Sequence, residues 1–442
     1  MGSLARHRVL ALAGVIAFVV LVVHPVAALG FSGFGATSAD STYGAQMRFT
    51  VQLPGGAPEK LEVLLRFIGS DGTFVAPVQP GASSAEYVWD AAAQPVTPNT
   101  KIAYRWRATD GGTVTLSPEK TLVYDDDRPG LDWQAARIGD TTVHWYGGKE
   151  SEARHFGQVS ANAAAAAEKL LGHKLAGPID IFVYVSRDEF FGALGPGARE
   201  WTGAATFPEL RTIFMWLGGG SASYLERTMT HEVTHVVFHD ATANPFHMPA
   251  TWFNEGLAVW SEQHSAADQE GQVRSAAGSG RLLAFEGITD SFPIDDVGAR
   301  LAYGEGATMV AMIIDTYGRG AIAAIAAAWR DGAGDDAALQ AGTGIPAAQL
   351  YDKYFASFGA SAPTAVSPAP IPDSNVALPP QPKGSGNEVP GPTGSPAASQ
   401  APQPGAGVDD LALLVAIVVA GLFVGIAVAV VMARRSQPPP TG

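Results

Sequence analysis

Cysteine is absent from the 442 residues of this chain, and basic residues are few. Without cysteine the chain can have no disulfide scaffold, no thiol nucleophile, no iron–sulfur cluster and no metal site with cysteine ligands. Lys and Arg number 28 against 42 Asp and Glu, which gives a formal net charge of −14. Because nucleic acids carry charge of the same sign, we predict that no nucleic acid is a partner.

Charge is also missing from a long run near the N-terminus. Arg6 and Arg8 precede an apolar run over residues 9–23, and small residues follow up to Ala28. This order of basic, apolar and small residues is typical of a secretory signal peptide. We predict a signal peptide over residues 1–28, and an uncleaved N-terminal anchor is the alternative.

A second uncharged run lies near the C-terminus. Residues 411–432 provide 22 positions without a charge, enough to cross about 30 Å of hydrocarbon. Arg434 and Arg435 follow directly, and basic residues favour the cytoplasmic side of a membrane. We therefore predict a transmembrane helix over 409–433 and a cytoplasmic tail over 434–442. The chain would be a single-pass type I protein of the cell membrane, with its folded part extracellular.

Proline dominates the segment before this predicted membrane helix. Residues 361–408 contain 12 prolines and few charged residues. Such a segment cannot bury enough apolar surface to fold, so we predict a disordered, semi-extended linker. Within the predicted membrane helix, Gly421 and Gly425 have the spacing that lets two helices approach closely, which predicts a weak homodimer.

Residues 29–129 consist of short apolar runs separated by turn residues. In one run Ile102, Tyr104 and Trp106 alternate with small or basic residues, which is typical of a half-buried strand. Several such strands at regular spacing predict an all-β sandwich of the immunoglobulin or fibronectin type. The candidate strands are 46–53, 60–67, 87–89, 101–107 and 113–116. No cluster of chemically active residues accompanies them.

Residues 130–360 have a different pattern, with a few strands followed by helices. This order predicts an α+β domain. Candidate strands are 141–146, 179–185 and 212–216, with an Ala-rich helix over 156–171 and helices from 221 to 358. The strand at 212–216 is either a sheet edge that could bind the backbone of a substrate or an ordinary core strand.

The first of the later helices contains the sequence His231-Glu232-Val233-Thr234-His235. Two histidines four residues apart lie on one face of a helix, so both imidazoles can reach one metal ion. Glu232 lies beside them, where a carboxylate can hold a water molecule. This pattern is typical of zinc metallopeptidases.

A catalytic zinc ion needs a third protein ligand and an open fourth position. One known pattern would place a glycine and a histidine at positions that Phe238 and Ala241 occupy here. A second pattern places a glutamate about twenty residues later, on another helix, and Glu255 is twenty residues after His235. Prolines between the two helices give the chain room to reverse. The sequence therefore predicts an open zinc site with ligands His231, His235 and Glu255.

These motifs, HExxH followed by Asn254-Glu255-Gly256-Leu257-Ala258, resemble those of the gluzincins, the thermolysin-like clan of metallopeptidases. The resemblance is strongest to the peptidase MA-like group, whose members have HExxH and then NEGxA, and it extends over roughly residues 130–360. It implies one zinc ion per chain, bound by His231, His235 and Glu255, with Glu232 as the general base. The implied substrate is a peptide or protein.

Two further residues bear on this resemblance. Thermolysin has an aspartate four residues after its glutamate ligand, which supports a ligand histidine, but Val259 is at that position here. The supporting partner must therefore come from elsewhere. Tyr303 opens a later helix, and by the resemblance it could donate to the developing oxyanion; a packing aromatic is the alternative.

The predicted function is that of a membrane-anchored extracellular zinc metallopeptidase. No acidic motif of the kind that grips a substrate N-terminus is present, which favours an endopeptidase. The alternative is a non-catalytic, zinc-stabilised surface protein for adhesion or sensing. Against that alternative, the three ligands and the base are all intact.

Overall fold

The computed structural model describes residues 31–363, apart from Asp71, 195–202, 263–265 and Ile294. The predicted signal peptide, the membrane helix with its Gly421/Gly425 contact, and the cytoplasmic tail lie outside these residues. So does all of the predicted linker after residue 363.

Eight strands make up the N-terminal part of the described chain, in two antiparallel sheets. One sheet has the order β1-β2-β5, and the other has the order β4-β3-β6-β7 with β8 also paired to β6. The strands are β1 Thr37–Thr42, β2 Gln46–Gln52, β3 Lys60–Phe67, β4 Phe74–Val78, β5 Ser84–Asp90, β6 Thr100–Asp110, β7 Thr113–Leu116 and β8 Lys120–Tyr124.

Alternation of side chains gives the two sheets a shared core. Met47, Phe49 and Val51 of β2 face the same cluster as Tyr104 and Trp106 of β6, and all five are buried. The predicted all-β region is therefore present, as a two-sheet sandwich. The pattern of apolar residues did not predict β1, β4 or β8, because β1 contains almost only small or polar residues and β4 contains a proline.

Five strands in the second part of the chain form a mixed sheet with the order β12-β13-β11-β10-β9. The central pairs β10/β11 and β11/β13 are parallel, and the outer pairs are antiparallel. The strands are β9 Gln134–Ile138, β10 Thr141–Trp145, β11 Ile179–Tyr184, β12 Ala204–Phe207 and β13 Thr212–Trp216. A 3-10 turn at Pro208–Leu210 joins β12 to β13.

Helices cover this sheet and continue beyond it. The long helices α1 and α3 pack together and against the sheet, while α2 packs on β11 and β13. The helices are α1 Glu150–Leu171, α2 Arg187–Leu194, α3 Ala222–Thr242, α4 Thr251–Ser261, α5 Ala266–Gly278, α6 Asp296–Tyr317, α7 Arg319–Arg330, α8 Asp335–Thr343 and α9 Ala347–Ser357. This arrangement confirms the predicted α+β class.

No single helix among the described residues is long and apolar enough to cross a membrane. The consecutive helices α6 and α7 together have the length and composition of a membrane span, but the chain bends by 113° between them.

Of the two alternatives for residues 212–216, the structure supports the core strand and contradicts the sheet edge. That segment is β13, which lies between β11 and β12 and is almost wholly buried. The strand at the end of the sheet is β12, which has only four residues. A strand so short has too few positions for its alternation to be recognised in a sequence.

The β-sandwich and the second region meet around a buried carboxylate. Asp126 accepts two hydrogen bonds from the guanidinium of Arg128, at 2.7 and 2.6 Å, and one from the hydroxyl of Tyr184 in β11 at 2.9 Å. Tyr43 of the sandwich lies under the Arg128 guanidinium and donates its hydroxyl hydrogen to the carbonyl of Gly192 in α2. These contacts join the two regions.

Candidate metal centre

Helix α3 supplies two of the predicted ligands and the predicted base. Its first turn is capped by Ser221, whose hydroxyl accepts a hydrogen bond from the backbone N–H of Tyr224. About three turns later the helix presents His231, Glu232 and His235, all of them buried against the sheet or the next helix. Because the helix packs against α1, α4 and β12, these side chains are fixed in the interior.

Helix α4 supplies the third predicted ligand. The chain reverses between Thr242 and Thr251, where Pro245 and Pro249 prevent continuation of α3. Helix α4 then packs against α3 and places Glu255, with 1% of its surface exposed, opposite the two histidines.

The three side chains converge on one point. Glu255 Oε2 lies 3.6 Å from His231 Nε2 and 3.4 Å from His235 Nε2. The two imidazole rings are 4.7 Å apart and nearly perpendicular. One ligand atom from each residue can be chosen so that all three lie within 4.8 Å of one another. This spacing leaves room for a single ion at their centre.

The bonding of these atoms provides a test of whether a metal ion fits. His231 Nε2, His235 Nε2 and Glu255 Oε2 are all buried, and none has a hydrogen-bond partner among the described residues. Buried polar atoms without partners are costly, and a bound cation would satisfy all three at once. Two imidazoles and one carboxylate are also the ligand set of a known class of catalytic zinc site. The residues therefore fit zinc.

Both histidines are held from behind by further polar side chains. His231 Nδ1 lies 2.8 Å from Glu262 Oε1, and His235 Nδ1 lies 2.9 Å from Asn254 Oδ1. In the tautomer with hydrogen on Nδ1, each ring donates to its partner and turns a free Nε2 toward the metal position. Glu262 thus provides the support that the valine at position 259 cannot give.

Glu232 has an environment suited to a base rather than a ligand. Its Oε2 accepts a hydrogen bond from Thr206 Oγ1 at 2.5 Å, and its Oε1 is buried and has no partner among the residues described. Burial raises the pKa of the Glu232 carboxyl, against the opposing effect of His231 and His235. For Glu255, burial also acts to raise the pKa, but the same two histidines outweigh it and the pKa is lowered. The surroundings therefore shift the pKa values of the two glutamates in opposite directions.

Tyr303 lies within α6, which begins at Asp296 and packs against α4, so it does not open the helix as predicted. Its ring is buried and meets the ring of Phe292 edge-on, with centroids 4.9 Å apart. Its proposed contact with an oxyanion stays a prediction.

Three residues of the site were not predicted from the sequence: Thr206, Asn254 as a partner of His235, and Glu262. Asn254 lies within the NEG motif, and Glu262 follows Glu255 by seven residues, two helical turns along the same face. Both signals were present in the sequence. Thr206 is brought to Glu232 only by the folding of β12, so nothing near it in the sequence marks it.

Comparison with known proteins agrees with this geometry. Residues 159–360 match the family model of the Peptidase MA superfamily, which confirms the predicted resemblance for the part of the chain that carries both motifs. This part of the chain is therefore similar to the Peptidase MA superfamily, and the predicted ligands and base all lie within the matched residues.

Several solved structures show similarity to the chain at low sequence identity. A mutant of an M1 zinc metallopeptidase from Deinococcus radiodurans is 15% identical, with 74% of this chain and 92% of that chain covered and a TM-score of 0.36. An aminopeptidase N family protein from Idiomarina loihiensis is 10% identical, with coverages of 72% and 69% and a TM-score of 0.32. No curated protein sequence matches the chain.

Proposed function

We propose that this chain is a zinc metallopeptidase that hydrolyses internal peptide bonds outside the cell, while anchored to the membrane. The observation that carries the proposal is the convergence of three buried, unpartnered ligand atoms beside a glutamate with one free oxygen. The family match of residues 159–360 supports the same class of activity. The membrane anchor and the extracellular location rest on the two terminal apolar runs alone.

His231, His235 and Glu255 would hold the zinc ion. When bound there, zinc would polarise the scissile carbonyl and make a nearby water more acidic. Glu232 Oε1 has no hydrogen-bond partner among the described residues, so it can take the proton of the attacking water. The same carboxyl group then gives this proton to the amine that leaves.

Strand β12 offers a place for the backbone of the substrate. Gly203 O accepts from Trp216 N at 2.9 Å, so residue 203 is hydrogen-bonded to its partner strand. In an antiparallel pair, residues that are hydrogen-bonded to the partner strand alternate with residues whose backbone groups point away from it. The backbone groups of Ala204 and Thr206 therefore face away from β13. Among the described residues no strand pairs with that side of β12. An extended peptide could add there as a further strand.

The preference for an endopeptidase is supported by the position of acidic side chains. Strand β12 itself has the sequence Ala204-Ala205-Thr206-Phe207 and carries no acid. The next acid, Glu209, lies against Gly69 of the β-sandwich, where a Cβ on that glycine would be 2.5 Å from Glu209 Cγ. Among the described residues, neither β12 nor Glu209 provides a carboxylate for a substrate N-terminus at the edge of the sheet.

The decisive experiment separates metal binding from base catalysis. In the purified full-length chain, Glu255→Ala should lose most of its zinc, because only two histidines remain as ligands. Glu232→Gln should keep its zinc, while hydrolysis of a quenched peptide falls by about 10²–10⁴-fold. Glu270→Gln, on the exposed face of α5, is the matched control and should behave as the parent.

Three results would contradict the proposal. Glu255→Ala could bind zinc as tightly as the parent, or Glu232→Gln could hydrolyse peptides at the parent rate. A parent that binds zinc and cleaves no peptide would instead be the non-catalytic surface protein. Peptides with a blocked N-terminus test the finer prediction, since an endopeptidase cleaves them and an aminopeptidase does not.

A further inference from the structure

The hydroxyl of Thr206 is the one group, among the described residues, that donates a hydrogen bond to the carboxylate of Glu232. The distance from Thr206 Oγ1 to Glu232 Oε2 is 2.5 Å, and the exposed fractions of the two residues are 6% and 2%. Water therefore has little access to this contact. The other oxygen of the carboxylate, Oε1, has no hydrogen-bond partner in the part of the chain that the structure describes.

The position of Thr206 follows from the alternation of side chains along β12. Ala205 and Phe207 face the opposite side of the sheet, where Phe207 packs against Phe214 with ring centroids 5.4 Å apart. Thr206 must then point to the side that α3 covers, which is the side of Glu232. Its backbone, in the plane of the sheet, faces the free edge at the same time.

The two oxygens of an isolated carboxylate are equivalent, and rotation about the last side-chain bond exchanges them. A donor fixed to one oxygen removes this freedom, because turning the group would leave a buried acceptor without its hydrogen bond. Thr206 is itself held in a strand, so its hydroxyl is a rigid donor. The consequence is that Oε1 alone is left free to take up a proton.

We propose that Thr206 is a positioning residue for the reaction: its hydroxyl holds Glu232 Oε2 so that Oε1 faces the water and the leaving amine. This inference rests on the proposed peptidase function and adds to it a residue that touches neither metal nor substrate through its side chain. A base held in place reacts faster than one that must first find its orientation, and misplacement of about 1 Å can cost roughly a hundredfold in rate.

The test compares three variants of the full-length chain, each loaded with zinc. Thr206→Val keeps the shape of the side chain and removes the donor, so kcat on a quenched peptide should fall about ten- to a hundredfold. Zinc content and KM should stay near the parent values, because neither a ligand nor the substrate edge has changed. Thr206→Ser keeps a hydroxyl and should restore most of the kcat.

Thr212→Val is the matched control. Thr212 is a buried threonine on the neighbouring strand, and its hydroxyl bonds the carbonyl of Leu210 rather than Glu232. This variant should keep the parent kcat, which shows that loss of a buried hydroxyl in this sheet is not enough to lower the rate. Melting temperatures of all variants verify that they are folded.

The outcomes separate this inference from the proposed function. If the parent cleaves peptides and Thr206→Val does so with the parent kcat, the role of Thr206 is wrong and the peptidase function stands. The role is also wrong if Thr206→Val loses zinc together with activity, or if Thr206→Ser is as slow as Thr206→Val. A zinc-loaded parent that cleaves no peptide overturns the peptidase function and this role with it.

Discussion

At the scale of single residues, the sequence predicts the metal ligands better than it predicts the side chains that hold those ligands in place. His231, Glu232 and His235 are recognisable because four-residue spacing on a helix is a local property. Glu255 is recognisable from the spacing of the next motif. The partner of His231 could not be placed from the family pattern, since Val259 stands where that pattern has an acid.

Glu262 can support His231 because of its position on the helix. It lies one turn beyond position 259, at the C-terminal end of α4, and its carboxylate reaches His231 Nδ1 at 2.8 Å. With an exposed fraction of 4%, this carboxylate is sheltered from water. A buried acceptor behind an imidazole raises its basicity and fixes its orientation.

We expect Glu262→Ala to raise the zinc dissociation constant about 10–100-fold, because His231 loses the partner that orients it. The chelator concentration that removes half of the zinc measures this change directly. Glu270→Ala on exposed α5 is the control and should release zinc at the parent concentration of chelator. Equal zinc retention in Glu262→Ala and the parent would show that the contact with His231 has no part in metal binding.

At the scale of helices and strands, prediction succeeded where the signal is long and failed where it is short. Helix α3 has a capping serine before it and proline breakers after it, so the sequence marks both of its ends. Strand β12 has four residues, and its pairing partner is set by tertiary contacts. For this reason the edge of the sheet, and Thr206 with it, could not be placed from the sequence.

The crossing of α4 and α6 is another contact that only the fold reveals. At Gly256 a Cβ would lie 2.3 Å from the carbonyl carbon of Gly306, and at Gly306 a Cβ would lie 2.4 Å from the carbonyl oxygen of Trp252. The obstacles are backbone atoms, which cannot turn aside. The two glycines therefore allow an approach that places Glu255, next to Gly256, in the metal site.

We expect Gly256→Ala to lower the free energy of unfolding by about 1–3 kcal/mol, because the two helices must separate. Gly271→Ala in α5 is the matched control. It has no atom within 4 Å of its would-be Cβ, so it should instead stabilise the protein by about 0.5–1 kcal/mol. Denaturant unfolding of the three proteins measures both changes. An unchanged stability of Gly256→Ala would contradict the tight crossing.

At the scale of the whole molecule, the β-sandwich is attached to the α+β region by specific polar contacts. Besides the Asp126 group, Tyr43 N–H donates to Asp127 Oδ1 at 2.8 Å, and Arg128 donates to the carbonyl of Glu189 at 2.7 Å. Glu189 and Gly192 both belong to α2, which packs on β11 and β13. The sandwich therefore contacts the same sheet that ends in β12.

The contact between the two regions depends on Arg128 because Asp126 is buried. The side chain of Asp126 has no exposed surface and that of Arg128 is 24% exposed, so removal of the arginine leaves a carboxylate with little access to water.

We expect Arg128→Ala to lower the free energy of unfolding by about 3 kcal/mol, as is found when one partner of a buried ion pair is removed. Arg66→Ala is the matched control, since Arg66 pairs with Glu119 at 3.4 Å and both side chains are nearly half exposed. Such a surface pair contributes about 0–1 kcal/mol. Denaturant unfolding of the full-length variants measures both free energies. If Arg128→Ala is as stable as Arg66→Ala, the two regions are held together by other contacts.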